Sequence, residues 1–294
     1  MEPERRTLTL PWGDVSYLEW QPATGSASST VLLLHGGGLD SAALSWGGAA
    51  PAIAEAGLRV IAPDHPGYGE SHPAPWPATQ ERLVAYVGEI VDALHLDRYA
   101  IGGLSLGGGM TVGHVLDRPR SVTGAMLLGS YGLMDRQLEG VLAWPVHTLT
   151  WLMLRSGVLR AITRAYGNDR KKMARSLRSI IRSPEQRTPE LLEEVMTAAA
   201  RGEALTSFEQ WQRDQFLWSG LKTNYTNRLH SISCPVLVVH GDRDTGVPVA
   251  RAEEAARRLP DAQLVVAPDA GHWVQRDRPE IVVPAVIDFL KTLE

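Results

Sequence analysis

Apart from a last strand at 263–267, short, mostly apolar runs without alternation punctuate this chain at 31–34, 59–62, 99–103, 122–128 and 236–240. A half-exposed strand alternates apolar and polar side chains, so such runs mark strands buried on both faces, as in a parallel sheet with helices on either side. Between them the spacing becomes helical. Residues 49–56 read as a helix stopped by Gly57, 250–259 as another and 279–293 as the last. The clearest case is 79–94, where Thr79 stands as the cap and Leu83, Tyr86, Val87, Ile90, Val91 and Leu94 form one apolar stripe. At the front, 7–10 and 15–19 flank Gly13-Asp14 and read as an antiparallel hairpin, followed by a small-residue loop at 21–29. Strand and helix alternating in this way predict an α/β fold, a mostly parallel, doubly wound sheet of about eight strands.

The alternation stops between 131 and 228, where helical spacing continues without a convincing strand, and resumes at 236. A stretch that long is not a loop. The expected organisation is a core made of 1–130 and 229–294, with 131–228 inserted as a helical cap subdomain.

The run at 99–103 leads into Gly103-Leu104-Ser105-Leu106-Gly107, and an apolar helical run follows. Strand, sharp turn and helix around Gly-x-Ser-x-Gly lift the serine hydroxyl clear of the sheet and aim the free N–H groups of the helix start at the same point. A serine hydroxyl is a weak nucleophile unless an imidazole takes its proton and a carboxylate orients that imidazole. In the chain order serine, acid, histidine, the acid is Asp242 or Asp244, just past the run ending at His240, and the base is His272, just past the run ending at Ala267. His35-Gly36-Gly37-Gly38 follows another such run, so all these segments fall at strand carboxyl ends, where open α/β sheets build their sites.

His35-Gly36-Gly37-Gly38, Asp64-His65-Pro66-Gly67-Tyr68-Gly69-Glu70-Ser71, the turn at Ser105, His240-Gly241-Asp242-Arg243-Asp244-Thr245-Gly246-Val247-Pro248 and Gly271-His272-Trp273 together resemble the α/β-hydrolase superfamily, in its capped, small-substrate, esterase-like form. The resemblance implies a triad of Ser105, Asp244 and His272, with Asp242 tying down its loop. It also implies an oxyanion hole of backbone N–H groups from Gly37, Gly38 and Leu106. The activity it implies is hydrolysis of a small carboxylic ester, with no cofactor. Dehalogenases and epoxide hydrolases of the superfamily carry aspartate at the nucleophile position, so Ser105 argues against both. The nearest rival is a carbon–carbon bond hydrolase of the meta-cleavage-product type, to which the glycines after His35 and the Trp273 after His272 are similar. Leu104 departs from that group, which has asparagine before the serine, and Arg213 is the candidate for its cap arginine. Thioesterase, lactonase and acyltransferase chemistry use the same triad, and a non-enzymatic ligand receptor uses the same fold.

Composition narrows the partners. A formal net charge of −4 gives no reason to expect nucleic acid or an anionic membrane surface. The single cysteine, Cys234, allows no intrachain disulfide and reads as a small packed hydrophobe in a reducing compartment. No apolar segment follows the N-terminal charges, and the most apolar window, 141–154, contains Pro145 and His147 and is too short to span a bilayer. The expectation is a cytoplasmic protein with a small-molecule partner. Asp242, Asp244 and Gly246 fall short of a calcium loop, so no metal site is expected. Lys171, Arg175, Arg178 and Arg182 recur opposite Met173, Leu177, Ile180 and Ile181 and read as a solvated helix face, with a landing strip for an anionic substrate as the alternative. Trp144, Trp151, Trp211, Trp218 and Trp273 are the candidates for lining an acyl or aryl pocket over Ser105.

Overall fold

The computed structural model describes residues 1–22, 29–138, 140–167 and 169–293, so most of the loop expected at 21–29 lies outside the described residues. Strands β1 (Glu4–Leu10), β2 (Gly13–Trp20) and β3 (Thr30–Leu34) are followed by helices α1 (Ala42–Trp46) and α2 (Ala50–Glu55). Then come β4 (Arg59–Pro63), α3 (Gln80–Ala93), β5 (Tyr99–Leu104), α4 (Leu106–Asp117) and β6 (Val122–Leu128). Five helices interrupt the alternation: α5 (Ala143–Ser156), α6 (Val158–Gly167), α7 (Arg170–Ile180), α8 (Pro189–Arg201) and α9 (Glu203–Gln215). A two-residue ladder, β7 (Phe216–Leu217) with β8 (Gly220–Leu221), ends the interruption. The chain closes with β9 (Val236–Gly241), α10 (Val249–Arg258), β10 (Ala262–Ala267), α11 (Val274–Asp277) and α12 (Pro279–Lys291).

Eight strands form one sheet in the order β1-β2-β4-β3-β5-β6-β9-β10. β1 and β2 pair antiparallel, β2 pairs antiparallel with β4, and every other neighbour is parallel. The alternation of side chains across each central strand feeds two separate cores. Leu32 and Leu34 of β3, Ile61 of β4 and Ile101 of β5 join one apolar cluster, whereas Val31, Leu33, Val60, Ala62 and Ala100 join the other. Both faces are therefore dry, which is why the sequence shows unbroken apolar runs there.

Three local expectations change. Leu10 pairs with Gly13, so the hairpin turns at Pro11-Trp12 and Gly13-Asp14 belongs to β2. The fixed φ of proline suits a turn position, and Trp12 is anchored edge-on to Trp76 at 5.2 Å. Helices α1 and α11 are too short to leave a periodic signal; α1 exists because the Ser41 hydroxyl caps it, accepting from the Leu44 N–H at 3.1 Å. The β7–β8 ladder lies in the stretch read as strand-free, and strands of two residues show no alternation. Thr79 caps α3 as expected, its side chain accepting from the Arg82 N–H. Cys234 is buried, and burial pushes its thiol up to about 11, as expected of a packed, unreactive sulfur. Among the described residues no helix is long and apolar enough to cross a membrane.

One buried carboxylate ties the helical insertion to the end of the sheet. Asp277 accepts hydrogen bonds from the backbone N–H groups of Arg182 (2.7 Å) and Ser183 (2.7 Å), just beyond α7, and of Gly271 (2.6 Å), before His272. The Trp273 N–H also donates to the carbonyl of Ile180 at 3.0 Å. An Asp277→Ala substitution strands three buried donors, each costing about 1 to 3 kcal/mol. Denaturant unfolding should show a loss of at least ~3 kcal/mol with an unchanged slope; a loss below ~1 kcal/mol would show that the three N–H groups find other partners.

Candidate active site

The carboxyl ends of β3, β5, β9 and β10 deliver four segments to one place. Ser105 stands at the end of β5 with φ 51° and ψ −111°, the left-handed strain expected of a strand-to-helix elbow. Its N–H donates to the carbonyl of Leu128 on β6 at 2.9 Å, and its carbonyl accepts from Gly109 and Tyr131 N–H at 3.0 Å each. α4 begins at Leu106, so the free N–H groups and positive end of that helix face the serine. A methyl group on Gly107 would overlap the carbonyls of Leu34 and His35, so this position holds glycine because α4 crosses β3 at backbone distance.

After β9, Asp244 places a fully buried carboxylate against His272, with Oδ2 at 2.7 Å from Nδ1. The other oxygen accepts from the N–H groups of Gly246 (2.7 Å) and Val247 (3.0 Å). Burial pushes this carboxyl up, but hydrogen bonds from His240 and His272 and their charges outweigh it and hold Asp244 well below the usual carboxylate range. A carboxylate at Nδ1 fixes the proton on that nitrogen and leaves Nε2 as the acceptor. Asp242 does not meet the imidazole; it is exposed and accepts from the Ala270 N–H at 3.3 Å. Ser105 and His272 open on one cavity of about 350 Å³, and no hydrogen bond joins them among the described residues, as is common before a substrate tightens a site.

Gly37 and Gly38 line the same cavity, and two buried side chains aim their loop: His35, named in the sequence only as part of the glycine motif, and Asp40, which the sequence did not single out. His35 Nδ1–H donates to the carbonyl of Gly36 at 2.7 Å, and Asp40 accepts the N–H of Gly36 at 2.7 Å. Because a peptide is planar, holding the Gly36 carbonyl fixes the opposite direction of the Gly37 N–H. His35 Nε2 accepts from the backbone N–H of His65 at 2.9 Å, and the two imidazoles pack at 3.9 Å between centroids, tilted by 30°. Burial pushes His35 down to about 3 against the pull of its Gly36 hydrogen bond, and lowers His65 as well. Burial raises Asp40 to about 6, opposed by hydrogen bonds from Ser45, Ser41 and Gly36 and by the charge of Arg276. On the cavity side, Gly37 lies under the ring of Phe208 from α9, where any methyl group would overlap the ring.

The inserted helices supply the far wall: Leu154 of α5, Leu159, Arg160 and Thr163 of α6, Met173 and Leu177 of α7, and Glu209 and Gln212 of α9. Glu209 carries two guanidinium partners, Arg160 at 3.4 Å and Arg213 at 3.1 Å. Arg160, not the expected Arg213, lines the cavity. Of the five tryptophans expected there, only Trp273 does. Trp211 is locked in the core, its indole N–H donating to Gln80 at 2.9 Å and its ring packed on Tyr131. Trp144 and Trp218 are 47% and 56% exposed, and Trp151 packs edge-on against Trp218. Lys171, Arg175 and Arg178 lie exposed opposite Met173 and Leu177, the solvated face expected of α7. Among the described residues no cluster of three or more His, Cys, Asp or Glu side chains could hold a metal ion.

Comparison with known proteins gives a consistent family. Residues 29–279 match the family model described as alpha/beta hydrolase fold. The 2-hydroxy-6-oxononadienedioate/2-hydroxy-6-oxononatrienedioate hydrolase of Cupriavidus pinatubonensis is 27% identical, over 97% of this chain and 94% of the relative. The hydrolase of the same name from Paraburkholderia phymatum is 30% identical, over 91% of this chain and 88% of its own length. Among solved structures, a serine hydrolase involved in carbazole degradation, the CarC enzyme, superposes with a TM-score of 0.77 at 23% identity, covering 99% of both chains.

The buried imidazole under the glycine loop makes a prediction about acid stability. His35 is neutral in the folded chain down to about 3, whereas in the unfolded chain it titrates near its ordinary 6.5. Between those values the unfolded chain binds more protons, so the stability tied to a neutral His35 is complete above 6.5 and is lost as pH falls toward 3. Asp40 acts with the opposite sign between 3.8 and about 6, which a comparison with His35→Gln cancels. Relative to that variant, wild-type unfolding free energy should fall by up to ~1.4 kcal/mol per pH unit below about pH 6.5. Parallel curves would mean that His35 takes up its proton in the folded chain as readily as in the unfolded one.

Proposed function

The chain belongs to the alpha/beta hydrolase fold family, and from that premise we propose that it is a serine hydrolase cleaving a small, uncharged carboxylic ester. The observation that carries this reading is the 2.7 Å contact between the buried Asp244 carboxylate and His272 Nδ1, with Ser105 on the elbow of the same cavity. Nε2 of His272 takes the Ser105 proton as the oxygen attacks the ester carbonyl. The Leu106 and Gly37 N–H groups, with Gly38 beside them, stabilise the oxyanion. His272 then gives the proton to the leaving alcohol, and water, deprotonated by the same nitrogen, releases the acid and restores Ser105. The core is 1–130 with 229–294, and 131–228 covers the site as its cap.

A second reading, hydrolysis of a carbon–carbon bond, is supported by the relatives, which are named for 2-hydroxy-6-oxononadienedioate. That compound carries two carboxylates. Among the described residues the one arginine lining the cavity is paired with Glu209, and Glu209 is shared with Arg213. A substrate carboxylate would have to displace Glu209 or lie beside it, so the charge balance of the cavity favours a neutral ester.

Two outcomes follow. A fluorophosphonate should label the peptide containing Ser105 and fail on Ser105→Ala, and Asp244→Asn should fold normally with kcat lowered on the order of 10⁴-fold. Label on another residue, or unchanged kcat in Asp244→Asn with loss in Asp242→Asn, would reverse those roles. For substrate class, kcat/KM for p-nitrophenyl acetate should exceed that for 2-hydroxy-6-oxononadienedioate by at least about tenfold, the inverse ratio assigning the carbon–carbon reaction.

A further inference from the structure

The outer side of the inserted helices is the least ordinary surface of the molecule. Among the described residues, every exposed large hydrophobic side chain other than Met1 and the edge-strand pair Leu264 and Val266 falls between 138 and 218. On α5, Leu149 and Leu152 are 57% and 50% exposed one turn apart; on α6, Val158 and Ile162 repeat the pattern at i and i+4. α6 packs against both α5 and α7. Ordinary monomers scatter exposed apolar residues singly, so a concentration on neighbouring helices marks a contact surface.

Charge identifies what the contact is with. The segment 140–182 holds nine Lys or Arg residues and a single acidic one, Asp169, in a chain whose net charge is −4. Lys171, Arg175 and Arg178 are exposed along α7, and among the described residues neither Arg175 nor Arg178 has an ion-pair partner. Arg136 sits over the ring of Trp144 at 4.2 Å and Arg155 near that of Trp151 at 5.9 Å, which places cations beside partly exposed indoles. Outward apolar helix faces bordered by arginine and tryptophan have the composition of an interfacial helix. A second copy of the chain fits poorly, because a two-fold contact would set the same basic surface against itself.

We propose that the outer face of α5, α6 and α7 docks on an anionic lipid surface, lying in its interface without spanning it. The inner faces of these helices line the cavity, through Leu154, Leu159 and Met173. Docking therefore sets the wall of the substrate cavity against the lipid phase, where apolar acyl compounds concentrate. The binding site is separate from the catalytic groups and stands whether the substrate is an ester or not.

The test is co-sedimentation of the full chain with vesicles of phosphatidylcholine containing about one-third phosphatidylglycerol, against vesicles of phosphatidylcholine alone. Binding should favour the anionic vesicles and weaken with added salt. Leu149→Ser/Leu152→Ser and Arg175→Glu/Arg178→Glu should each weaken it at least about tenfold, with far-ultraviolet circular dichroism and unfolding temperature unchanged. Absence of binding, equal binding to both vesicles, or binding that neither pair of substitutions alters would overturn the proposal. So would loss with the arginine pair alone, which would mean simple charge attraction. A dimer in sedimentation velocity that Leu149→Ser/Leu152→Ser dissolves, without vesicle binding, would assign the face to a second copy instead.

Discussion

A backbone turn that costs energy holds the site together. Ser105 sits at φ 51° and ψ −111°, a conformation that costs a non-glycine residue about 1 to 3 kcal/mol and persists only where its surroundings over-determine it. Here they do. β5 lies in the middle of the sheet between β3 and β6, and both polar groups of the Ser105 backbone are bonded, one to β6 and the other to α4 and the segment after β6. The packing of α4 on β3 through Gly107 leaves the helix no room to relax the turn. Once the elbow is rigid, the end of β3 brings the glycine loop to one side, and the loops after β9 and β10 bring Asp244 and His272 to the other.

The sheet was legible in the sequence for a simple reason. A strand dry on both faces has no polar alternation to confuse it, and Val31 to Leu34 of β3, split between two cores, is the plainest example. The positions of Ser105 and Asp244 were legible because each lies just beyond such a run, and that of His272 because it follows the half-exposed edge strand β10. Choosing between Asp242 and Asp244 was different: both lie past β9, and spacing alone does not say which one turns inward. That choice came from the family pattern, and the hydrogen bonds from Gly246 and Val247 give the physical means by which Asp244 is held inward.

The tryptophans mark where legibility ended. An indole ring suits a core, a cavity wall or a half-exposed patch equally well, and helical spacing does not say which neighbour a face will meet. Trp211 is in the core, Trp144 and Trp218 are on the outside, and only Trp273, fixed by its place beside His272, lines the cavity. The supports of the glycine loop were hidden for another reason. His35 and Asp40 are polar residues next to glycines, a pattern any surface turn shares. Only burial turns them into groups whose hydrogen bonds must be satisfied, and which therefore hold the Gly36 peptide in one orientation.

Net charge is silent on local fields, for a reason that the fold makes physical. A total of −4 averages over a chain in which 140–182 holds nine of the 29 Lys and Arg residues and one acidic residue, and an electrostatic encounter responds to local fields within about one Debye length, ~8 Å at physiological salt, and not to the total. Two helices of that segment, α5 and α6, are apolar on two sides. One side is explained by the cavity they line, since the proposed serine chemistry needs a water-poor wall opposite Ser105. A globular helix whose second side faced only water would carry polar residues there, yet Leu149, Leu152, Val158 and Ile162 stand in those positions. Polar replacements at exposed positions cost a fold little, so neither core packing nor solubility requires the apolar ones. What they fit is a second apolar phase on the outside, and the surrounding arginines give that phase its sign.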